Sequence, residues 1–200
     1  MYAKWTKIED ADEKETQDKP ATGKLPFADV AEGSWYYENV KYVYEKGLFA
    51  GISETEFAPN SPLTRGMLVT VLHRAADKPA ANNDVKFSDV NGSDYYYDAV
   101  KWAQSNGVVM GVSDDKFAPQ MNITREQMAV IIYRYAVASG ASKAEAELDY
   151  EDLANVSEWA IEAVKFCTSN GLMSGSDGRF NPQSNATRAE ASAILQRYFK

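Results

Sequence analysis

Cysteine and histidine each occur once in this 200-residue chain, as Cys167 and His73. An intramolecular disulfide is thereby excluded, and so are a thiol redox pair and a metal site built from several cysteines or histidines. Long apolar runs are also missing: no stretch reaches the roughly 18 residues of a membrane span. The first residues lack the apolar stretch of a signal peptide, so an export signal is expected upstream or already removed. Positive charge is in deficit, with 21 Lys and Arg against 29 Asp and Glu and a formal net charge of −8. No run of Lys or Arg offers a phosphate footprint, which argues against nucleic acid as the partner. An acidic chain can still hold an anion where a few cations are focused locally.

What is present suits a packed core. The chain is 44% hydrophobic and 12% aromatic, which is a globular composition. Residues 1–24 differ: Glu9 to Lys24 is dense in charge and carries Pro20 and Gly23. This stretch reads as a linker or tail, with Tyr2, Trp5 and Ile8 as its candidates for docking.

From residue 25 the chain repeats itself three times. Phe27-Ala28-Asp29-Val30 recurs as Phe87-Ser88-Asp89-Val90 and as Tyr150-Glu151-Asp152-Leu153. Val40-Lys41-Tyr42 recurs as Val100-Lys101-Trp102 and Val164-Lys165-Phe166. Gly47 and Gly51 return as Gly107 and Gly111, then as Gly171 and Gly175. Phe57-Ala58-Pro59 returns as Phe117-Ala118-Pro119 and Phe180-Asn181-Pro182, and Thr64-Arg65 as Thr124-Arg125 and Thr187-Arg188. Repeated units in a fixed order point to a stacked-repeat architecture. The units are residues 25–80, 85–140 and 148–200.

Each unit reads as helix, loop, helix, so the fold class is all-α. The first helix is predicted to start near Ser34, Asp94 or Ser157, which are good N-cap residues. Its apolar face holds Tyr36, Val40 and Val43 in the first unit and Trp159, Ala163 and Val164 in the third. It is predicted to end at Gly47, Gly107 or Gly171, where glycine suits a left-handed cap. The second helix starts at the Thr, and its core residues are Leu68, Val71, Leu72, then Met128, Ile131, Ile132, then Ala191, Ile194, Leu195. A unit of about 55 residues is marginal alone, so the three are expected to share one core as a single cooperative unit.

Thr187-Arg188-Ala189-Glu190 fits a capping box, as does Thr124-Arg125-Glu126-Gln127. Thr64-Arg65-Gly66-Met67 keeps the Thr but loses the return bond, and Gly66 weakens the helix start by roughly 1 kcal/mol relative to Ala. The arginine calls for more. At the first helical position it meets the positive end of the dipole, at a cost of about 0.3–1 kcal/mol. Two readings stay open. The arginine reaches a local carboxylate such as Asp29, Asp89 or Asp152, or it joins the free helix amides in holding an external anion.

These motifs together resemble S-layer-homology repeats, over roughly residues 25–200. The resemblance implies three repeats packed as an intrachain pseudo-threefold trimer around a central helical bundle. It implies inter-repeat grooves that bind secondary cell-wall polysaccharide, usually bearing a pyruvate ketal and hence a carboxylate. Carried onto this sequence, the ligand-binding residues would be Arg65, Arg125 and Arg188, the acids Asp29, Asp89 and Asp152, and the aromatic wall Trp35, Tyr95 and Trp159. Gly47, Gly107 and Gly171 would let ligand approach the backbone. Lys41, Lys101 and Lys165, held in one register, are added as cations on physical grounds. Met67 and Gln127 depart from the family's Glu, which puts the first groove in doubt if that position shapes it.

The expected function is attachment of a bacterial surface protein to an acidic wall polysaccharide. The expected protein is extracellular, non-enzymatic, monomeric, and without cofactor or metal. A protein-interaction or self-assembly scaffold is the rival, and a glycoside hydrolase a distant third for want of a distinct carboxylate pair. Replacing Arg188 by Ala is expected to weaken binding and leave helicity nearly unchanged. Ser113–Lys116 and Ser176–Arg179 read as turns, because a calcium loop needs a fuller ligand series. Cys167, aligned with Val43 and Ala103, is predicted to be buried and inert, and His73 to lie at the surface or a rim. The tyrosines at 36, 37, 95, 96 and 97 could stack on sugar faces, and most are assigned to packing.

Overall fold

A computed structural model describes residues 23–142 and 147–200; the proposed docking of Tyr2, Trp5 and Ile8 lies outside them. The described residues form six α-helices: α1 (Tyr37–Glu45), α2 (Arg65–Ala75), α3 (Tyr97–Ser105), α4 (Arg125–Ala138), α5 (Ile161–Ser169) and α6 (Arg188–Phe199). Among them there is no β-sheet, and no helix is long and apolar enough to cross a membrane.

The odd-numbered helices are short and end as glycine dictates. Gly47, Gly107 and Gly171 sit at φ of 65°, 68° and 64°. The following amide reaches back to satisfy an orphan carbonyl: Leu48 N–H to Val43 at 2.9 Å, Val108 to Ala103 at 2.8 Å, Leu172 to Cys167 at 2.8 Å. This is a Schellman closure, and Leu48, Val108 and Leu172 are buried beside it. The starts differ from expectation. The helices begin at Tyr37 and Tyr97, with no side-chain cap from Ser34 or Asp94. Asp94 instead accepts the Asn91 amide at 2.7 Å, and its own carbonyl accepts from Tyr97. Ser157 precedes a short 3-10 turn, Glu158–Ala160, that runs into α5. Its hydroxyl donates to Glu126 of the preceding repeat.

The even-numbered helices are capped as predicted. Thr124 and Thr187 form full capping boxes with Gln127 and Glu190, and Thr64 accepts the Met67 amide alone. All nine predicted core residues of these helices are buried, and Tyr37, Val40, Val43, Ala163 and Val164 join them from the odd-numbered helices.

Each second helix packs on the first helix of the next repeat: α2 on α3, α4 on α5, and α6 back on α1. The chain therefore closes into a ring. At its centre Leu63 N–H donates to Ala186 (2.8 Å), Ala186 to Ile123 (2.9 Å), and Ile123 to Leu63 (2.9 Å). Those three side chains are fully buried, so the cyclic bonds are shielded from competing water.

The loop after the second glycine is shaped by contact. A Cβ at Gly111 would lie 2.1 Å from the Ser113 carbonyl oxygen and 2.4 Å from that of Lys116. Gly51 and Gly175 are crowded in the same way, so this second glycine serves the close approach while the first serves the helix end. In the third repeat Ser176 and Arg179 exchange both backbone hydrogen bonds, with Asp177 and Gly178 at φ of 50° and 74°. From Gly175 to Phe180 this loop is one residue shorter than from Gly51 to Phe57 or Gly111 to Phe117, and the two-residue turn accounts for the difference.

Candidate functional site

Between the motif Arg of one repeat and the Phe-x-Pro turn of the next lies a closely bonded joint. Asp29 accepts the amides of Phe57 (2.9 Å) and Ala58 (2.6 Å). Asp89 does the same for Phe117 and Ala118, and Asp152 for Phe180 and Asn181. The second residue of each pair has a positive φ, 56–57°, unfavourable for Ala. The carboxylate thus holds a strained turn in place.

The arginines approach the same turns from the other side. Arg188 donates through Nε to Phe57 O (2.7 Å) and through Nη2 to Ala50 O (2.8 Å). Arg65 reaches Phe117 O and Met110 O, and Arg125 reaches Phe180 O and Ser174 O. Each guanidinium also lies over a ring: Arg188 is 4.3 Å from the Phe49 centroid and 4.5 Å from Phe57. All three are buried. Burial lowers the pKa of Arg188 to about 10. Burial, with the like charge of Arg134, lowers that of Arg65 to about 10 against the opposing pull of Asp89. Both remain cationic at neutral pH. The primary partners of the arginines are therefore backbone carbonyls of the next repeat, which neither sequence reading named; Arg125 alone also pairs with a carboxylate, that of Glu190, the kind of partner the first reading expected.

The helix amides are occupied too. The Arg65, Arg125 and Arg188 amides donate to Met121, Ser184 and Ser61, and those of Gly66, Glu126 and Ala189 to Pro119, Pro182 and Pro59. The third amide goes to the capping Thr. No free amide group is left in the first turn for an external anion.

Of the three predicted wall aromatics, Trp35 and Tyr95 line described clefts and Trp159 lines none of them. Trp35, Tyr95 and Trp159 are 62%, 62% and 58% exposed. Trp159 thus belongs outside the core to which its helical spacing assigned it. One cleft, of about 580 Å³, places Trp35 of the first repeat opposite Ser174–Ser176 and Arg197 of the third, with Arg125 of the second at its side. All three repeats contribute to it. A second, of about 410 Å³, sets Tyr95 and Lys101 beside Arg74 and Lys78. Desolvation at the Tyr95 hydroxyl raises its pKa, opposed by a hydrogen bond with Thr64 and by the charges of Arg74 and Arg188. A shallower concavity of about 430 Å³ includes Asp152, Asn181 and Gln183.

The remaining candidates divide. Lys41 and Lys165 are half-buried on α1 and α5, and Lys101 alone of the three lines a described cleft. Gly47, Gly107 and Gly171 cap helices with open space around them. His73 is buried, not at the surface: it lies on the Trp102 ring at 5.3 Å, and its Nε2 meets the Pro79 carbonyl at 3.1 Å. Cys167 is buried as expected, and burial pushes its thiol up to about 12.

The sequence reading passed over a second arginine series. Arg74, Arg134 and Arg197 each follow the motif Arg by nine residues, which places them two and a half turns along the same helix. Arg74 and Arg197 line the clefts and donate to Leu48 O and Leu172 O. The constant spacing was the available signal. Glu126 was likewise passed over. It is buried and accepts from the Ser157 amide, the Ser157 hydroxyl and Gln183 Nε2, which ties the second repeat to the third.

A closed ring of three helical repeats with clefts at its joints defines a repeat-built helical module. The S-layer homology domain model matches residues 26–66, 86–129 and 149–192, and the chain belongs to that family. It is 33% identical over 175 residues to an endoglucanase of Bacillus sp. (strain KSM-635), covering 86% of this chain and 18% of that protein. It is 30% identical over 173 residues to an amylopullulanase of Thermoanaerobacterium thermosulfurigenes, covering 84% and 9%. A surface-layer 125 kDa protein of Lysinibacillus sphaericus is 28% identical over 165 residues, covering 80% and 14%. The chain thus spans less than a fifth of the length of these relatives.

Proposed function

We propose that this chain holds a bacterial surface protein on the cell wall by binding an acidic, pyruvylated wall polysaccharide in the clefts between its repeats. The supporting observation is the placing of Trp35, an exposed ring, in one cleft with Arg197. An indole face suits the apolar side of a sugar ring, and a guanidinium suits a carboxylate. Asp29, Asp89 and Asp152 already accept two amides each, so their part in binding is to fix the turns that shape the clefts. The relatives named as enzymes extend far beyond the matched segment, and the reading here is a non-catalytic, extracellular, monomeric anchor.

Titration calorimetry with the pyruvylated polymer, beside the same polymer stripped of its ketal by mild acid, tests this. Binding to the intact polymer alone is the expected result. Equal binding to both would move recognition to neutral sugar contacts. Binding to neither, together with a stable oligomer in light scattering, would replace the anchor with a self-assembly scaffold.

A further inference from the structure

The cleft of about 410 Å³ beside Tyr95 is walled by the second half of α2, the linker that follows it, and α3. The linker wall comes from an early helix end. α2 and α4 both start at a motif arginine, but α2 has 11 residues and α4 has 14. Lys78 therefore falls in the linker, where the second repeat has Ala138, still helical. Asp77 and Lys78 turn the chain with consecutive positive φ, 60° and 51°. Neither is glycine, so the turn needs support from its surroundings. α2 supplies it: the Asp77 amide donates to Arg74 O at 3.0 Å, the Lys78 amide donates to His73 O at 2.8 Å, and His73 Nε2 meets the Pro79 carbonyl. Residues 67–85 fall between the segments matched by the family model, so this wall lies outside the repeated motif.

Three cations from three elements line the cleft: Arg74 of α2, Lys78 of the linker and Lys101 of α3. Asp98 is the one carboxylate in its lining. In a chain of net charge −8 this is a local excess of positive charge, which a concave wall concentrates. The Trp35 cleft is made differently. There Arg125 is tied to Glu190 and to two carbonyls, which leaves the exposed Arg197, whose planar fork suits a carboxylate. Two ammonium groups and a guanidinium from separate elements suit an anion of higher charge with oxygens in several directions. A tetrahedral phosphate is such an anion, and lysine meets it as a point charge.

We propose that the cleft of Arg74, Lys78 and Lys101 is a second anion site, for a phosphate ester, carried on a wall polymer or free in solution. This goes beyond the anchoring reading and stands on a different cleft, so either can fail alone.

The chain's single histidine makes the test specific to the site, because His73 lines this cleft. Proton NMR of the His73 ring is followed in the full chain, at fixed pH and ionic strength, as glycerol phosphate, a short poly(glycerol phosphate) or acetate is added. Saturable shifts with phosphate and none with acetate are the expected result. A polymer that binds more tightly than the monomer assigns the phosphate to a wall polymer; a monomer that binds as well assigns it to a free ester. Lys78→Gln combined with Lys101→Gln should weaken phosphate binding about tenfold. Its circular dichroism should be unchanged, since Lys78 is exposed and Lys101 half-buried. Trp35→Ala should bind phosphate as the unmodified chain does. An unmoved His73 ring, an equal response to acetate, or full affinity in the lysine variant would overturn the proposal and leave the anchoring reading intact. Phosphate binding by a chain that ignores the pyruvylated polymer would support the site and overturn the anchoring reading instead.

Discussion

Arg188 opens a helix at the end where a cation is least welcome, by about 0.3–1 kcal/mol. Two carbonyl acceptors and two phenyl faces offset that. Arg188→Lys keeps the charge but loses the fork and the stacking. It should destabilise the chain by about 2–3 kcal/mol in urea unfolding. Replacement by Ala should cost at least as much, so Arg188→Ala should lose stability along with binding rather than leave helicity nearly unchanged. The sequence flagged this arginine as needing an explanation but not which one. Its acceptors are backbone carbonyls 131 and 138 residues away, and a carbonyl leaves no trace in residue type. Cys167 was legible because its counterparts Val43 and Ala103 are small and apolar. Its thiol is raised from 9.0 to about 12 by burial, so the unfolded state loses that proton first as pH rises. The thiol's contribution to stability is full below about pH 9 and falls as pH climbs toward 12. Iodoacetamide at pH 8 should label it in urea and leave the native chain unlabelled by mass spectrometry.

At the scale of elements, ends set by backbone conformation were readable and ends set by neighbours were not. Gly47, Gly107 and Gly171 announce a left-handed residue. Ser34 and Asp94 suggested starts two residues too early, because the chain makes a backbone-bonded turn before the helix and spends Asp94 on the Asn91 amide. Thr187 caps α6 within a full box, and Thr187→Ala should cost about 1 kcal/mol by chemical denaturation. Gly111→Ala should cost more, because the new methyl group meets two carbonyl oxygens inside 2.5 Å; a drop in melting temperature larger than that of Thr187→Ala is the expected reading. Gly66 likewise has a local reason: a Cβ there would sit 3.1 Å from the Tyr96 ring. In the next repeat the same position is Glu126, bonded to Ser157. These joints are therefore chemically distinct, although each is built on the same Thr-Arg pair.

Over the whole molecule, stability belongs to the ring. Removing residues 148–200 would take away the acceptor of Leu63 N–H, the donor to Ile123 O and the helix that covers α1. The remaining two repeats should lose cooperative unfolding by circular dichroism, whereas three independent units would each keep their own transition. The repeat count and helix content were legible because they are periodic; the order of closure was not, because it depends on pairing residues more than a hundred positions apart. Closure has a mechanical consequence. Tension arriving along the chain ahead of Leu25 meets α1 already clasped by α6, the last helix of the ring. No repeat can be peeled away alone, since each is gripped by both others through arginine and backbone bonds. Force spectroscopy should then record one rupture event rather than a staircase of three, the behaviour wanted of a tether exposed to shear.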